Sequence, residues 1–493
     1  MQIRLETVPG EKKTILEALL ECGITSIPTP CGGRGRCGKC SVHIEGQEQE
    51  VLACITEAKC GMVVRLPDKN GQEQIAEESS CTSYLPDQDY NLVAACDLGT
   101  TTVVCHLIDG KSGRILATAS ESNAQRIYGA DVVSRIQAAK EGKLSELQKQ
   151  IVNQLNRMLK NLLEQSKAPE IEILAVAGNT VMCHLLTGLS PASIGEAPFF
   201  PQDYFGKICE GETIGIQRCR QIYLTPAVSG YVGGDITADL LAVTPEYEEE
   251  EILLLDIGTN GEMVLGKKGD YVCCAAAAGP AFEGAQIEMG MPAKEGAVSH
   301  VYLDQRRIRV QVIGDTKSVG ICGSGLLDAL CIFLQMGLVD NSGQIRKQQE
   351  VSVAYRKYLG EYENQACIWL TDTVCVTQAD IRNLQLAKAA IAAGIEILMK
   401  ERGVVWKDVS RLVLAGGFGS FLKPESAAAI GLIPRELLSV TSSVGNAAGS
   451  GAVSAAISRK ARQELERIRS SMHYLEMSAH PDFADLYLKH MGF

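Results

Sequence analysis

Residues 91–109 and 251–269 are two versions of one device. "NLVAACDLGTTTVVCHLID" is an apolar run that ends in Asp-x-Gly-Thr-Thr-Thr and then resumes as a second apolar run. "EILLLDIGTNGEMVLGKKG" repeats the plan with Asp-x-Gly-Thr-Asn-Gly. Each reads as two strands joined by a glycine turn. Their recurrence about 160 residues apart predicts an internal duplication rather than an array of short repeats. In each turn, glycine and hydroxyl-bearing residues offer N–H and O–H donors to phosphate oxygens. Each aspartate can hold a hydrated Mg²⁺. One acid–glycine turn closes many unrelated hairpins; two, each between strands, point to a clamp for a polyphosphate.

Three later segments extend the pattern. "SGYVGGDITADLLAV" (229–243) is a glycine turn opening a helix, with Asp235 in the first turn. "RLVLAGGFGSF" (411–421) is a buried strand running into a glycine loop. "VGNAAGSGAVSAAI" (444–457) is a helix of small residues, which permits close approach of another helix or a ligand. The order phosphate turn, helix, phosphate turn, glycine strand end, small-residue helix resembles the actin, sugar-kinase and heat-shock-chaperone ATPase superfamily (ASKHA), in which two lobes close over one nucleotide. The resemblance spans roughly 92–457. By it, Asp97, Gly99, Thr100 and Thr101 match the first phosphate loop, and Asp256, Gly258, Thr259 and Asn260 the second. Gly416, Gly417 and Gly419 match the adenosine loop, and Asp235 takes the place of the carboxylate that orients the attacking water. Asp235 also reads simply as a helix cap.

The N-terminal region carries different chemistry. "TPCGGRGRCGKCSVHIEGQEQEVLACIT" (29–56) places Cys31, Cys37, Cys40 and Cys54 at C-x5-C-x2-C-x13-C. Three thiols share one glycine-rich loop and the fourth returns from beyond the next strand, the logic of a two-iron ferredoxin. Structural zinc is the alternative, although zinc sites more often pair two close two-ligand arms. Cys22 and Cys60 are spare thiols nearby. Strand-like "QIRLETV", "CSVHIEG" and "MVVRLP", with helical "TILEALLECG" closed by Gly23, make residues 1–67 resemble a small β-grasp ferredoxin domain. Residues 68–91 are polar and acidic and read as a flexible linker holding an exposed Cys81, leaving 92–493 for the two-lobed ATPase. The expected fold class is therefore α/β, an α+β head joined to an actin-like, ribonuclease-H-like body.

Several features bound the function. The net charge of −12 argues against non-specific nucleic-acid binding and against an anionic membrane surface. The start of the chain lacks a signal-peptide core and no run is long enough to span a bilayer, so the expectation is a cytoplasmic protein. Eighteen cysteines at no disulfide-scaffold spacing fit a reducing, anaerobic cytosol; Cys183, Cys273, Cys274, Cys322 and Cys331 sit in apolar runs and read as small buried hydrophobes. His184 reads as a satisfied core histidine, "GSG" before "LLDALCIFL" as either an anion-binding helix start or a tight packing turn, and "PEYEEEE" as a solvated acidic loop. Glu283 is left open. "LQKQIVNQLNRMLKNLLEQ" is an amphipathic helix whose stripe belongs to the core.

A one-electron carrier fused to an ATPase implies an electron transfer that needs energy. Each ~59 mV of unfavourable gap costs a one-electron step about tenfold in reduced product. The ferredoxin-type loop followed by DLGTTT, DIGTNGE, AGPAFEG, ICGSGLLD, LAGGFG and GNAAGSGA, with a C-terminal "HYLEMSAHPDFADLYLKHMGF", resembles the reductive activators of corrinoid proteins. That resemblance covers nearly the whole chain. It implies ATP-dependent return of a corrinoid methyl-carrier protein from Co(II) to Co(I), with the electron passing from a low-potential cellular reductant through a 2Fe-2S cluster, and a homodimer formed through the ATPase half. Some relatives insert a further domain after the linker, whereas here only 42 residues separate Cys54 from Asp97. Competing readings are a small-molecule kinase, a chaperone-like cobalamin reactivating factor without redox chemistry, an electron-transfer module with a vestigial nucleotide site, and an ATP-driven donor to a different low-potential acceptor.

Overall fold

The structure, a computed structural model, describes residues 2–5, 13–21, 24, 27, 33, 35, 40–47, 50–66, 84–166, 169–243, 249–258, 260–284, 286–419 and 421–493. Two six-stranded sheets build the body. The first runs Ile115–Ser122, Thr102–Asp109, Leu92–Leu98, Ile171–Gly178, Cys219–Leu224, Ile208–Glu210. The second runs Met472–Tyr474, Asp270–Ala276, Gly261–Lys267, Ile252–Ile257, Arg411–Ala415, Thr441–Ser443. In both, an antiparallel three-stranded meander is extended by two parallel strands from its first member. The duplication expected from the two hairpins is thus present at the level of topology, and only the outermost added strand differs.

Strand alternation divides the body into three apolar layers. Along Leu92–Leu98, Ala94, Cys96 and Leu98 face one core, which the helix Leu144–Ser166 covers with Leu147, Ile151, Leu155, Met158 and Leu162. Along Ile252–Ile257, Leu253, Leu255 and Ile257 face the core of the second lobe. The intervening residues Val93, Ala95, Ile252 and Leu254 share a third core between the sheets, filled by the helices Gly234–Val243 and Ala447–Ile457. These helices cross tightly: a β-carbon on Gly451 would fall closer than 3.0 Å to the backbone of Ala238. The small-residue helix therefore serves helix–helix approach. Strands buried on both faces explain the near-continuous apolar runs of the sequence.

Among the described residues, the head is an antiparallel sheet in the order Gln2–Arg4, Val63–Arg65, Ser41–Ile44, Val51–Leu52, with the helix Ile15–Glu21 against it. Leu5, Ile15, Leu19, Val42 and Val64 form its own small core, together with Cys40 and Cys54. Gly23, Cys22 and Cys81 lie outside the described residues. The end of the expected linker departs from a free tether. The carboxylate of Asp87 accepts from Ser458 Oγ (2.8 Å), Arg459 N (2.7 Å) and Lys460 N (3.0 Å) at the start of the helix Arg459–Ser470. Residues 84–91 are thereby fastened to the body. Part of the acidic loop is likewise paired rather than merely solvated: Glu251 receives Arg402 at 2.6 Å, and Arg402 also holds Asp270 at 2.6 Å.

Candidate nucleotide site and cluster site

The alternation that builds the layers also aims the acids. Asp97 follows Cys96 and Asp256 follows Leu255, so both carboxylates project into the space between the sheets. Asp235, in the first turn of the helix Gly234–Val243, joins them there. Burial pushes the Asp97 carboxyl up to about 7, and the charge of Asp256 pushes in the same direction, against a hydrogen bond from Asn446. Burial and then Asp256 raise Asp235 to about 8, while burial, opposed by a hydrogen bond from Asp239 and aided by Glu283, brings Asp256 to about 6. Asp239, one turn beyond Asp235, and Glu262, opposite Asp256 in the hairpin register, are also raised by burial first. Mutually repelling, desolvated carboxylates of this kind mark a site that a cation completes. Asp235 Oδ1 also accepts from Ile236 N at 2.9 Å, a local bond within the first turn of the helix and not an N-cap.

The two turns face this acid cluster. Gly99, Thr100 and Thr101 close the first hairpin, and Thr101 Oγ1 donates to Glu283 Oε2 at 2.7 Å, a bond from one lobe to the other. In the second turn, Gly258 N donates to Asn260 O at 2.9 Å; Thr259 lies outside the described residues. The expected glycine loop is instead a single helical turn, Gly416–Gly419, and it starts at Gly416, whose φ of +83° and closeness to Asp256 admit no side chain: a β-carbon would come closer than 3.0 Å to Asp256 Oδ1. A β-carbon on Gly417 would meet nothing within 4 Å, and Phe418 stacks on Phe282 at 5.3 Å. Gly419 is buried at the end of that helical turn. Asn446 joins the site twice, holding Asp97 and capping the helix Ala447–Ile457 through Gly449 N at 2.7 Å.

Other sequence features resolve as structure. His184 is fully buried, with Nδ1 donating to Thr180 O (2.7 Å) and Nε2 accepting from Gln202 N (3.1 Å) and Asp203 N (3.3 Å), a neutral core histidine whose proton affinity burial lowers. The "GSG" turn is a packing turn, because β-carbons on Gly323 and Gly325 would run into the carbonyls of Phe282 and Val298. Cys183, Cys273, Cys274, Cys322 and Cys331 are all buried, as read from their apolar surroundings.

In the head, Cys40 and Cys54 are buried, with sulfurs 3.2 Å apart and no disulfide between them. Ala53 N donates to Cys40 O at 2.9 Å, tying the two arms together. Gly35 takes φ +70°, and a β-carbon there would strike Ile55 beside Cys54. Cys31 and Cys37 lie outside the described residues, while Cys60 is exposed. Two converging soft donors in an apolar shell fit an iron–sulfur cluster. In the body, among the described residues, no three side chains form a ready-made set of direct metal ligands. The acids therefore fit an ion that brings its own water and nucleotide oxygens, as Mg²⁺ does.

Comparison with known proteins follows this division. Residues 6–69 match a model of a 2Fe-2S iron-sulfur cluster binding domain, 92–246 the RACo middle region, and 250–493 the C-terminal domain of RACo, the ASKHA domain. Over 589 aligned positions the chain is 28% identical to the corrinoid activation enzyme RamQ of Eubacterium limosum, covering all of this chain and 99% of that one. It is 25% identical to the [Co(II) methylated amine-specific corrinoid protein] reductase of Methanosarcina barkeri, over 69% of this chain and 65% of that one. A solved structure described as a reductive activator for corrinoid, iron-sulfur protein superposes with a TM-score of 0.74 at 30% identity, covering 98% of this chain and 95% of the other.

Proposed function

The chain belongs to the reductive activators of corrinoid proteins, and from that premise we propose that it uses ATP to return a corrinoid methyl-carrier protein from inactive Co(II) to Co(I). The observation that carries this reading is the union in one chain of a buried cysteine pair suited to a one-electron centre and a duplicated acid-lined nucleotide clamp. When bound, a 2Fe-2S cluster supplies single-electron storage and MgATP supplies the free energy of hydrolysis. In the head, Cys31, Cys37, Cys40 and Cys54 are the cluster ligands. In the body, Gly99, Thr100, Thr101, Gly258, Thr259 and Asn260 grip the phosphates. Gly416, Gly417 and Gly419 would line the adenosine, and Asp97 and Asp256 would hold a hydrated Mg²⁺. Asp235 takes a proton from the attacking water, a role that suits a carboxyl held near neutrality.

The units are a head of 1–67, a linker of 68–91 and an ATPase of 92–493. The protein works as a homodimer through the ATPase half, in the cytoplasm, with a low-potential cellular reductant feeding the head. Among the described residues no helix is long and apolar enough to cross a membrane. With a cluster bound, the head would supply the single electron that converts Co(II) to Co(I), and ATP hydrolysis would favour the complex in which cobalt accepts it.

The test follows loss of the Co(II) absorbance of a purified corrinoid methyl-carrier protein under anaerobic conditions, with reductant and with or without ATP. Cys40→Ala should abolish cobalt reduction while largely sparing ATP hydrolysis, and Asp256→Ala should abolish hydrolysis while leaving the head's visible spectrum intact. Unchanged cobalt reduction in both variants would overturn the coupling.

A further inference from the structure

The stretch 123–135 packs behind the first phosphate turn as a buried polar bracket. Asn123, Gln125, Arg135 and Gln154 are each at most 1% exposed. Asn123 Nδ2 donates to Gly99 O at 2.8 Å, an Arg135 terminal nitrogen donates to Thr100 O at 2.5 Å, and Asn123 N donates to Thr101 O at 2.8 Å. Three successive carbonyls of the turn are thus held from one side. Arg135 is itself fixed by Gly129 O (3.1 Å), Gln125 Oε1 (3.4 Å) and Met182 Sδ (2.9 Å), and no carboxylate among the described residues forms an ion pair with it. A buried guanidinium hydrogen-bonded only to neutral groups is expensive, and the charges of Asp131 and Glu283 offset its burial only in part. Its presence requires a compensating role.

Peptide geometry supplies that role. In a trans peptide the carbonyl of one residue and the N–H of the next point in opposite directions. Drawing the Gly99 and Thr100 carbonyls toward the bracket turns the Thr100 and Thr101 amides the other way. The turn lies against the second lobe, which the Thr101 hydroxyl reaches at Glu283. We propose that Asn123 and Arg135 are positioning residues for nucleotide hydrolysis, holding the first turn so that its amides form a phosphate cradle, with the Arg135 charge completing the balance when the polyphosphate arrives. This rests on the reading of residues 99–101 as a phosphate turn.

The test compares binding of magnesium–AMPPNP and of adenosine by calorimetry to the full-length protein, beside its melting temperature. Arg135→Lys keeps the charge and loses the fork, and Asn123→Asp keeps the acceptor for Gln125 N while losing the donor to Gly99 O. Each should weaken AMPPNP binding by roughly 10-fold, through the lost charge-assisted bond to Thr100 O in the first and through a Gly99 carbonyl left facing a carboxylate in the second, and leave adenosine binding within about 2-fold. Should either variant fold poorly, the other decides by the same comparison. Equal losses for both ligands, or no loss for AMPPNP, would overturn the proposal while leaving the nucleotide site standing. A wild-type protein that binds adenosine but not AMPPNP would sink the phosphate-turn reading and this inference with it.

Discussion

Replacing Gly416 by alanine tests the geometry of the clamp with one methyl group. The residue sits at φ +83°, where an L side chain costs about 1–2 kcal/mol. The new β-carbon would lie closer than 3.0 Å to Asp256 Oδ1, so the carboxylate must retreat by roughly 1 Å to restore ordinary contact. A displacement of that size at a reacting centre costs on the order of 100-fold in rate, or about 2.7 kcal/mol of transition-state stabilisation. Gly416→Ala should therefore lower the melting temperature by a few degrees and cut kcat/KM for ATP about 100-fold, measured by phosphate release. The visible spectrum of the head should not change. Gly417→Ala is the matched control, because its β-carbon would meet nothing within 4 Å. It should leave stability within about 0.5 kcal/mol yet weaken adenosine binding, since the methyl enters the space assigned to the nucleoside. Wild-type kcat/KM in Gly416→Ala, or equal destabilisation by the two substitutions, would refute this reasoning.

Two further outcomes test the frame around the site. Gly451→Val forces a branched side chain into the backbone of Ala238 and should cost about 2–3 kcal/mol by urea denaturation; an unchanged midpoint would mean the helices do not cross there. Asp87 is held well below the usual carboxylate range, at about 2: burial opposes this, and hydrogen bonds from Lys460 N, Arg459 N and Ser458 outweigh it. A depressed folded value means stability that is present above the unfolded pKa and lost as pH falls toward about 2. Because Asp87 is exposed, its contribution is discounted to about 1 kcal/mol. Asp87→Ala should lose that amount at pH 7, and the gap from wild type should close by about pH 2; a gap independent of pH would assign the loss to packing.

The parts of the site that lie within one hairpin were legible from sequence. Asp97 and Asp256 each close a strand that reads as apolar, and strand alternation alone places them on the same face of equivalent sheets. Asp235 was legible as a helix-start carboxylate, but its neighbours are set by the other lobe. Glu283 and Asn446 could not be assigned, because their partners Thr101 and Asp97 lie far away in the chain and only the closed body brings them together. Arg135 went unread for a related reason. It contacts backbone carbonyls, which leave no signature in residue type. The two meanings of "GSG" were equally open until the Phe282 and Val298 carbonyls appeared beside the glycines. Local chemistry is written in the residues, whereas juxtaposition waits for the fold.

The seam between the lobes has a mechanical consequence. Where the helices Gly234–Val243 and Ala447–Ile457 meet, Gly451 lies against the bare backbone of Ala238, with Ile236, Leu240 and Val453 in the core around it. At the crossing itself no side chain interlocks, so a small shear of one helix past the other meets little resistance there. A shear of this kind would let the lobes tighten on a triphosphate and relax on a diphosphate while water stays out of the seam.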